Sequence, residues 1–267
     1  MNVASIMTPD PLTVPRGATL DRAMDLMDEH DIRHLPVLDR EGLAGVVSDR
    51  DVLEATGWLS PRQREVIEAP GGVVDDVMRS PAAAVSPDDP ISRALGLIVQ
   101  RRIGCVTVVR DGSLEGIVTE VDILRAYADA CRRGAIEPSA DETVAEHMSR
   151  DPATIDGESS GDEAAALMQS AHVRHLPVLQ GATVAGMLSD RDVRRARGRG
   201  QLELTLVREL VGPVPRSPSP DQRLSSLAAI LSAERIGALP VVSGGRLVGI
   251  ATTVDVVIPC ALALERL

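Results

Sequence analysis

The sequence predicts an α/β protein made of four β-α-β-β-α repeats. Two observations support this fold class. A motif of glycine, two apolar residues, serine or threonine, two variable residues and aspartate occurs four times, and the same order of extended and helical patterns surrounds each copy. The copies begin 71, 70 and 63 residues apart, and they occupy residues 45–51, 116–122, 186–192 and 249–255.

The elements of one repeat follow from local patterns. In the first repeat, the prolines of residues 11–15 oppose a helix and suit a short edge strand. An amphipathic helix follows, because Leu20, Met24 and Met27 recur on one helix face. A hairpin comes next, with its first strand at 35–38. Its second strand carries the motif, whose aspartate lies in the first turn of the last helix.

The repeats alternate between two versions. The first and third share R-H-L-P-V at 33–37 and 174–178, whereas the second and fourth begin the same strand with Arg-Ile-Gly at 102–104 and 235–237. This order indicates a two-repeat module that was duplicated. Because each small sheet must cover one face, we expect the two modules to pair as a disc-like pseudo-dimer. The predicted repeats are residues 1–68, 69–137, 138–203 and 204–267.

Composition excludes several function classes. A net charge of −11 and an aromatic content of 1% argue against a nucleic-acid partner. No apolar run approaches the roughly 20 residues of a membrane span, and the N-terminus lacks a secretory signal pattern. The 3 cysteines are widely spaced, and the histidines lack metal-ligand spacing. We therefore expect a cytoplasmic protein with no metal and no cofactor.

The polar pair of the motif has two interpretations. Serine or threonine followed three residues later by aspartate, at a strand-to-helix junction, is a helix-capping arrangement that contributes about 1 kcal/mol. The same junction also leaves backbone N–H groups and positive dipole potential, which favour a phosphate. Ser48 and Asp51 exemplify the pair. Capping and binding can coexist in different repeats, so both interpretations stay open.

These residues resemble the CBS (cystathionine-β-synthase) domain. The matching features are M-T-x-x-P at 7–11, L-P-V at 35–37 and the four motifs, and together they cover nearly the entire chain. The resemblance implies two tandem Bateman modules, each holding adenosine-containing ligands in clefts between its paired repeats. It also implies that the aspartate binds the ribose hydroxyls, while the serine or threonine and nearby basic residues bind phosphate.

The residues beside the motif differ between repeats. The odd repeats add two arginines and a histidine, which favour a phosphate and resemble the regulatory γ subunits of AMP-activated kinase. The second repeat, with Ala84 and Glu120, is the weakest predicted site. The predicted nucleotide-binding residues are Thr13, Arg33, His34, Ser48, Arg50, Asp51, Thr119, Asp122, Thr154, Arg174, His175, Ser189, Arg191, Asp192, Ser217, Thr252 and Asp255.

The predicted function is that of a stand-alone regulatory protein. It would sense energy state by binding AMP, ADP or ATP, and it would signal to a protein effector that the sequence does not identify. A ligand-free scaffold is the alternative. An enzyme is not expected, because no Ser-His-Asp or Cys-His arrangement stands out. The sequence leaves open whether the protein is a monomeric two-module disc or a homodimer.

Overall fold

A computed structural model describes residues 1–55, 72–137, 141–198, 202–212 and 216–267. The chain forms two compact units. The first unit comprises Met1–Ile123 and Leu264–Arg266, and the second comprises Leu124–Ala263 and Leu267. The mixed α/β fold predicted from the sequence is confirmed. The predicted repeat boundary between residues 68 and 69 lies outside the described residues, as does the predicted start at residue 138.

The first unit contains the elements of two repeats, in the predicted order. In its first repeat these are β1 (Thr8–Pro9), β2 (Val14–Pro15), α1 (Leu20–Glu29), β3 (His34–Asp39), β4 (Gly42–Ser48) and α2 (Asp49–Ala55). Its second repeat supplies β5 (Ala84–Val85), α3 (Ile91–Arg101), β6 (Cys105–Arg110), β7 (Ser113–Thr119) and the start of α4 (Glu120–Arg132), whose residues from Leu124 onward belong to the second unit. A 3₁₀ turn precedes each repeat, at Val3–Ser5 and Val74–Asp76.

The second unit follows the same plan. Its first repeat supplies α5 (Val144–His147), β8 (Ile155–Asp156), α6 (Gly161–Ser170), β9 (His175–Gln180), β10 (Thr183–Ser189) and α7 (Asp190–Gly198). After a 3₁₀ turn at Leu202–Leu204, its second repeat supplies α8 (Val207–Leu210), α9 (Leu224–Ala233), β11 (Ala238–Ser243), β12 (Arg246–Thr252) and α10 (Thr253–Glu265). No helix within the described ranges is both long and apolar enough to span a membrane.

Each repeat is built on an antiparallel hairpin, and in the first three repeats a short parallel strand lies beside it. In the first repeat β3 pairs with β4, and Val14 of β2 lies opposite Val37 of β3 in parallel register. Helix α1 begins at the cap of Thr19, whose side chain accepts a hydrogen bond from the Arg22 N–H at 3.2 Å. The predicted apolar face of this helix is buried through Leu20, Ala23 and Met27.

The segment that precedes each repeat joins the sheet of the other repeat in its unit. Strand β1, although it opens the first repeat, pairs with β7 of the second, with Thr8 opposite Ile117. Reciprocally, Arg79 at the start of the second repeat exchanges two backbone hydrogen bonds with Val46 of β4, at 3.1 and 2.9 Å. The sequence analysis placed these segments only within their own repeats. The exchange brings residues of one repeat beside the motif of the other.

The hydrophobic cores show the same exchange. The core of the first repeat includes Leu35 and Val47 of its hairpin, and also Val74 from the turn before the second repeat. The core of the third repeat likewise includes Leu202 and Val207, which lie beyond its last helix. Because burying an aliphatic side chain contributes about 1.5–3 kcal/mol, these residues tie the two repeats of a unit together.

Candidate functional site

All four motifs form the capping box that their spacing predicts. Asp51 Oδ2 accepts hydrogen bonds from the Ser48 N–H at 3.0 Å and from Ser48 Oγ at 2.5 Å. The other three aspartates accept the equivalent hydrogen bonds from an N–H and a hydroxyl. The two distances are 2.8 and 2.6 Å for Asp122, 2.9 and 2.5 Å for Asp192, and 2.9 and 2.7 Å for Asp255. In every case the same oxygen, Oδ2, is used, so Oδ1 is left for another partner.

In the first unit, a residue of the neighbouring repeat stands beside this second oxygen. Thr8 Oγ1 donates to Asp122 Oδ1 at 3.0 Å. Arg79 Nε lies 3.8 Å from Asp51 Oδ1. Thr8 and Arg79 both follow a methionine at the start of a repeat, and both reach the motif through the exchanged segment. Each motif aspartate of this unit therefore belongs to a site that two repeats build.

The first glycine of the motif permits this close approach. A Cβ at Gly45 would lie 2.8 Å from the carbonyl oxygen of Arg79, and one at Gly116 would lie 3.0 Å from that of Thr8. Real Cβ atoms essentially never come closer than 3.0 Å to another heavy atom. A residue with a side chain would push the exchanged segment away from the motif, so the glycine is required by packing and not by its conformational freedom.

The second unit repeats this arrangement with different residues. A Cβ at Gly249 would lie 2.8 Å from the carbonyl oxygen of Ser149, whereas one at Gly186 would lie 3.5 Å from that of Gly212. Ser149 therefore corresponds to Thr8, and Gly212 corresponds to Arg79. The second unit thus has a hydroxyl at one of its two sites and no side chain at the other.

The predicted histidines pack against the glycines of the even repeats. A Cβ at Gly104 would lie 2.5 Å from both Cε1 and Nε2 of His34. The same holds for Gly237 and His175, at 2.7 Å. The alternation of R-H-L-P-V with Arg-Ile-Gly therefore has a steric cause, because the glycine makes room for the imidazole of the other repeat.

This packing determines the charge of His34. The pKa of His34 is lowered to about 4, chiefly by burial; the cations Arg33 and Arg79 act in the same direction, and the carboxylates Asp49 and Asp51 oppose the shift only in part. His34 is therefore neutral at pH 7. Its imidazole therefore adds no positive charge for a phosphate at that pH, and its role as a nucleotide-binding residue stays a prediction. A neutral ring can still donate or accept a hydrogen bond.

A cysteine lies close to both motif carboxylates of the first unit. Burial raises the pKa of Cys105 to about 12, and the negative charges of Asp51 and Asp122 raise it in the same direction. Its thiol therefore stays protonated at neutral pH. Because one side chain senses both carboxylates, the two motif aspartates flank the same buried strand.

The predicted arginines lie at the start of the motif helices. The Arg33 carbonyl accepts a hydrogen bond from the Asp49 N–H at 3.0 Å, and Arg174 does the same for Asp190 at 2.9 Å. The side chains of Arg33 and Arg174 are exposed, as is that of Arg50, while Arg191 is half-buried. The main chains of Arg33 and Arg174 are therefore fixed at the N-terminal ends of the odd-repeat motif helices.

The predicted hydroxyl residues of the extended segments, Thr13, Thr154 and Ser217, stay predictions as site residues. Thr13 lines a hollow together with Asp39 and Asp111 of the two hairpin turns, and no motif residue lines that hollow. Thr154 is half-buried immediately before β8, and Ser217 is half-buried in the matching segment of the fourth repeat. Among the hydrogen bonds of the described residues, none joins Thr13 or Thr154 to a motif residue.

A buried polar cluster in the second unit was not predicted. Asp141 accepts hydrogen bonds from Tyr127 Oη at 3.1 Å, from the Ser225 N–H at 3.0 Å and from Ser225 Oγ at 2.5 Å. Burial and the charge of Asp141 raise the pKa of Tyr127, so its phenol stays a donor. The cluster lies outside the motifs and fixes the start of α9 to α4.

Comparison with known proteins identifies the family. The model of the CBS domain matches residues 3–57, 74–129, 144–199 and 207–258. The chain belongs to the CBS-domain family. It carries four CBS domains arranged as two tandem pairs, as the sequence motifs predicted.

Two archaeal proteins share this four-domain plan. The uncharacterized protein MJ1225 of Methanocaldococcus jannaschii is 24% identical over 269 residues, covering 92% of this chain and 93% of that protein. Its crystal structure, described as that of a proposed archaeal homologue of γ-AMPK, aligns with a TM-score of 0.76 at 21% identity over 97% of this chain and 99% of that one. A conserved protein from Pyrococcus horikoshii aligns with a TM-score of 0.69 at 19% identity over 97% and 100%. These similarities show the fold.

Other relatives match one CBS pair only. The CBS domain-containing protein YhcV of Bacillus subtilis is 30% identical over 43% of this chain and 79% of that protein. The A-adding tRNA nucleotidyltransferase of Geobacter sulfurreducens is 27% identical over 52% of this chain, but only 14% of the enzyme is covered. The enzyme names among the relatives therefore belong to much longer proteins.

Proposed function

We propose that this CBS-domain protein binds an adenine nucleotide (AMP, ADP or ATP) at its motif aspartates and that binding regulates a protein effector. The supporting observation is that the two carboxylate oxygens of a motif aspartate have different surroundings. One oxygen caps the helix, and in the first unit the other lies beside a residue of the neighbouring repeat, which is Arg79 for Asp51 and Thr8 for Asp122. A ribose diol offers two O–H donors, which suit such a carboxylate oxygen.

The surroundings of the odd-repeat aspartates favour a phosphorylated ligand. Arg33 and Arg50 leave exposed guanidinium groups at the mouth of the Asp51 site, and Arg174 does so beside Asp192. Guanidinium groups bind phosphate oxygens in bidentate geometry. The nine-residue helix α7 adds its N–H groups and dipole at the Asp192 site. The odd-repeat sites are therefore the main expected binding sites.

A ligand-free scaffold is the second candidate, and one observation favours it. The Thr8 hydroxyl already occupies Asp122 Oδ1. A ligand at this site must replace that bond, which contributes about 1 kcal/mol. The even-repeat sites are therefore expected to bind more weakly than the odd-repeat sites, or to serve assembly alone.

Thermal unfolding in the presence of a ligand panel tests the proposal. The panel contains AMP, ADP, ATP, GMP, adenosine and S-adenosylmethionine. A ligand at 100 times its Kd stabilises the folded state by about 2.7 kcal/mol, which is measurable as a rise in Tm. Adenine nucleotides are expected to raise Tm more than adenosine or S-adenosylmethionine. No rise with any adenine nucleotide at millimolar concentration would favour the scaffold.

A further inference from the structure

The two units differ at one position beside the odd-repeat aspartates. In the first unit this position is Arg79, whose main chain is held by two hydrogen bonds to Val46 and by close packing on Gly45. Its side chain is 59% exposed and its Nε lies 3.8 Å from Asp51 Oδ1, while the Asp51 side chain is only 13% exposed. The guanidinium therefore stands at the mouth of the site while its backbone is fixed.

The second unit provides a natural comparison. Gly212 takes the position of Arg79, and Asp192 keeps the same cap through Ser189. A Cβ at Gly212 would meet no atom of the described residues within 4 Å, so among them there is room for a side chain. The two odd-repeat sites therefore share their carboxylate and their cap, and differ in the residue that the exchanged segment presents, which is arginine in one and glycine in the other.

We propose that Arg79 makes the Asp51 site more selective for phosphorylated adenosine compounds than the Asp192 site, where residue 212 is glycine. The inference rests on the proposed function. A ribose that donates to Asp51 Oδ1 replaces Arg79 there. The ion pair that is broken is weak, since exposed pairs of this kind contribute little.

The released guanidinium then distinguishes ligands by charge. A nucleotide supplies phosphate oxygens to which Arg79 can form charge-assisted, bidentate hydrogen bonds. Adenosine breaks the same ion pair but has no phosphate to which Arg79 can bind. The bonds gained with AMP and the uncompensated loss of the ion pair with adenosine both favour AMP. A charge-assisted hydrogen bond corresponds to about tenfold to hundredfold in affinity.

Isothermal calorimetry on the full-length chain tests this inference, with AMP and adenosine as probes. The Asp192→Ala background isolates the Asp51 site among the odd repeats. In that background Arg79→Ala is expected to lower the affinity for AMP about tenfold to hundredfold. The affinity for adenosine is expected to stay unchanged or to rise slightly. Arg93→Ala is the matched control, because Arg93 is 64% exposed and pairs with Asp89 at 3.4 Å in the same unit.

The reciprocal variant tests the same idea by gain of function. In the Asp51→Ala background, Gly212→Arg is expected to raise the ratio of AMP to adenosine affinity about tenfold or more. Contributions of the even repeats cancel, because each variant is compared with its own background. Unchanged unfolding temperatures of Arg79→Ala and Gly212→Arg confirm that the fold is intact.

The outcomes separate this inference from the proposed function. If the parent protein binds AMP but Arg79→Ala leaves the AMP-to-adenosine ratio unchanged, the inference is wrong and the proposed function stands. Tighter AMP binding by Arg79→Ala would show that the arginine blocks the site, which also overturns the inference. A parent protein that binds neither probe at millimolar concentration overturns the proposed function, and the inference with it.

Discussion

Replacing Gly45 with alanine is expected to destabilise the first unit, because the new methyl group meets atoms that cannot easily move. The Cβ would lie 2.8 Å from the Arg79 carbonyl oxygen and 2.9 Å from Met78 Sδ. The exchanged segment would have to shift, which would strain the two hydrogen bonds between Arg79 and Val46 at 3.1 and 2.9 Å.

The magnitude follows from two opposing effects. Overpacking costs about 1–3 kcal/mol, and each weakened hydrogen bond adds about 0.5–1.5 kcal/mol. The lower entropy of the unfolded alanine chain returns about 0.4–1 kcal/mol. With two weakened hydrogen bonds the net loss is about 1–5 kcal/mol, which lowers the Tm by roughly 2–20 °C at about 2–4 °C per kcal/mol.

Two further glycines calibrate this experiment. Gly96→Ala in α3 meets no atom within 4 Å, so it is expected to gain about 0.5–1 kcal/mol of helix stability. Gly186→Ala is expected to cost less than Gly45→Ala, because its nearest neighbour is the Val211 side chain at 3.0 Å and the Gly212 carbonyl is 3.5 Å away. Thermal unfolding by circular dichroism measures all three variants. If Gly45→Ala were as stable as Gly96→Ala, the packing argument would fail.

Two other predictions concern buried polar groups. Between pH 6.5 and 4 the unfolded chain binds the His34 proton and the folded chain does not, so stability falls as the pH is lowered. Urea unfolding midpoints are measured across this pH range for the parent and for His34→Asn. The free energy of unfolding of the parent should fall by about 2–3 kcal/mol more than that of the variant. Parallel pH profiles of the two proteins would contradict the pKa shift. Tyr127→Phe should cost about 1 kcal/mol and Asp141→Ala clearly more, since the latter leaves the Ser225 N–H and hydroxyl without their acceptor. Equal midpoints for these two variants would refute that ranking.

Local patterns predicted most of the elements. The spacing of Leu20, Met24 and Met27 predicted α1, and the alternation of strand and turn residues predicted the hairpin of β3 and β4. The capping geometry of Ser48 and Asp51 was also predictable, because both residues lie within one turn of the same helix. Such features depend on residues close in sequence.

The partners across repeats were not predictable in the same way. A two-residue strand such as Thr8–Pro9 carries no periodicity that indicates which sheet it joins. Thr8 and Arg79 were therefore not predicted as site residues, although each follows a methionine at the start of its repeat, which was a visible signal. The neutral state of His34 was missed for the same reason, because Gly104 of another repeat encloses it.

The most direct test of the account is calorimetric titration of AMP into the parent protein and into Asp51→Ala/Asp192→Ala. The loss of a carboxylate that accepts two ribose hydroxyls should cost about 2–3 kcal/mol, or roughly 30- to 150-fold in affinity at each site. Asp76→Ala controls for the loss of a cap, because Asp76 accepts only the Val73 N–H, at 3.1 Å, outside the motifs. The account predicts AMP binding that Asp76→Ala retains and the double variant loses, whereas unchanged affinity and stoichiometry in the double variant would contradict it.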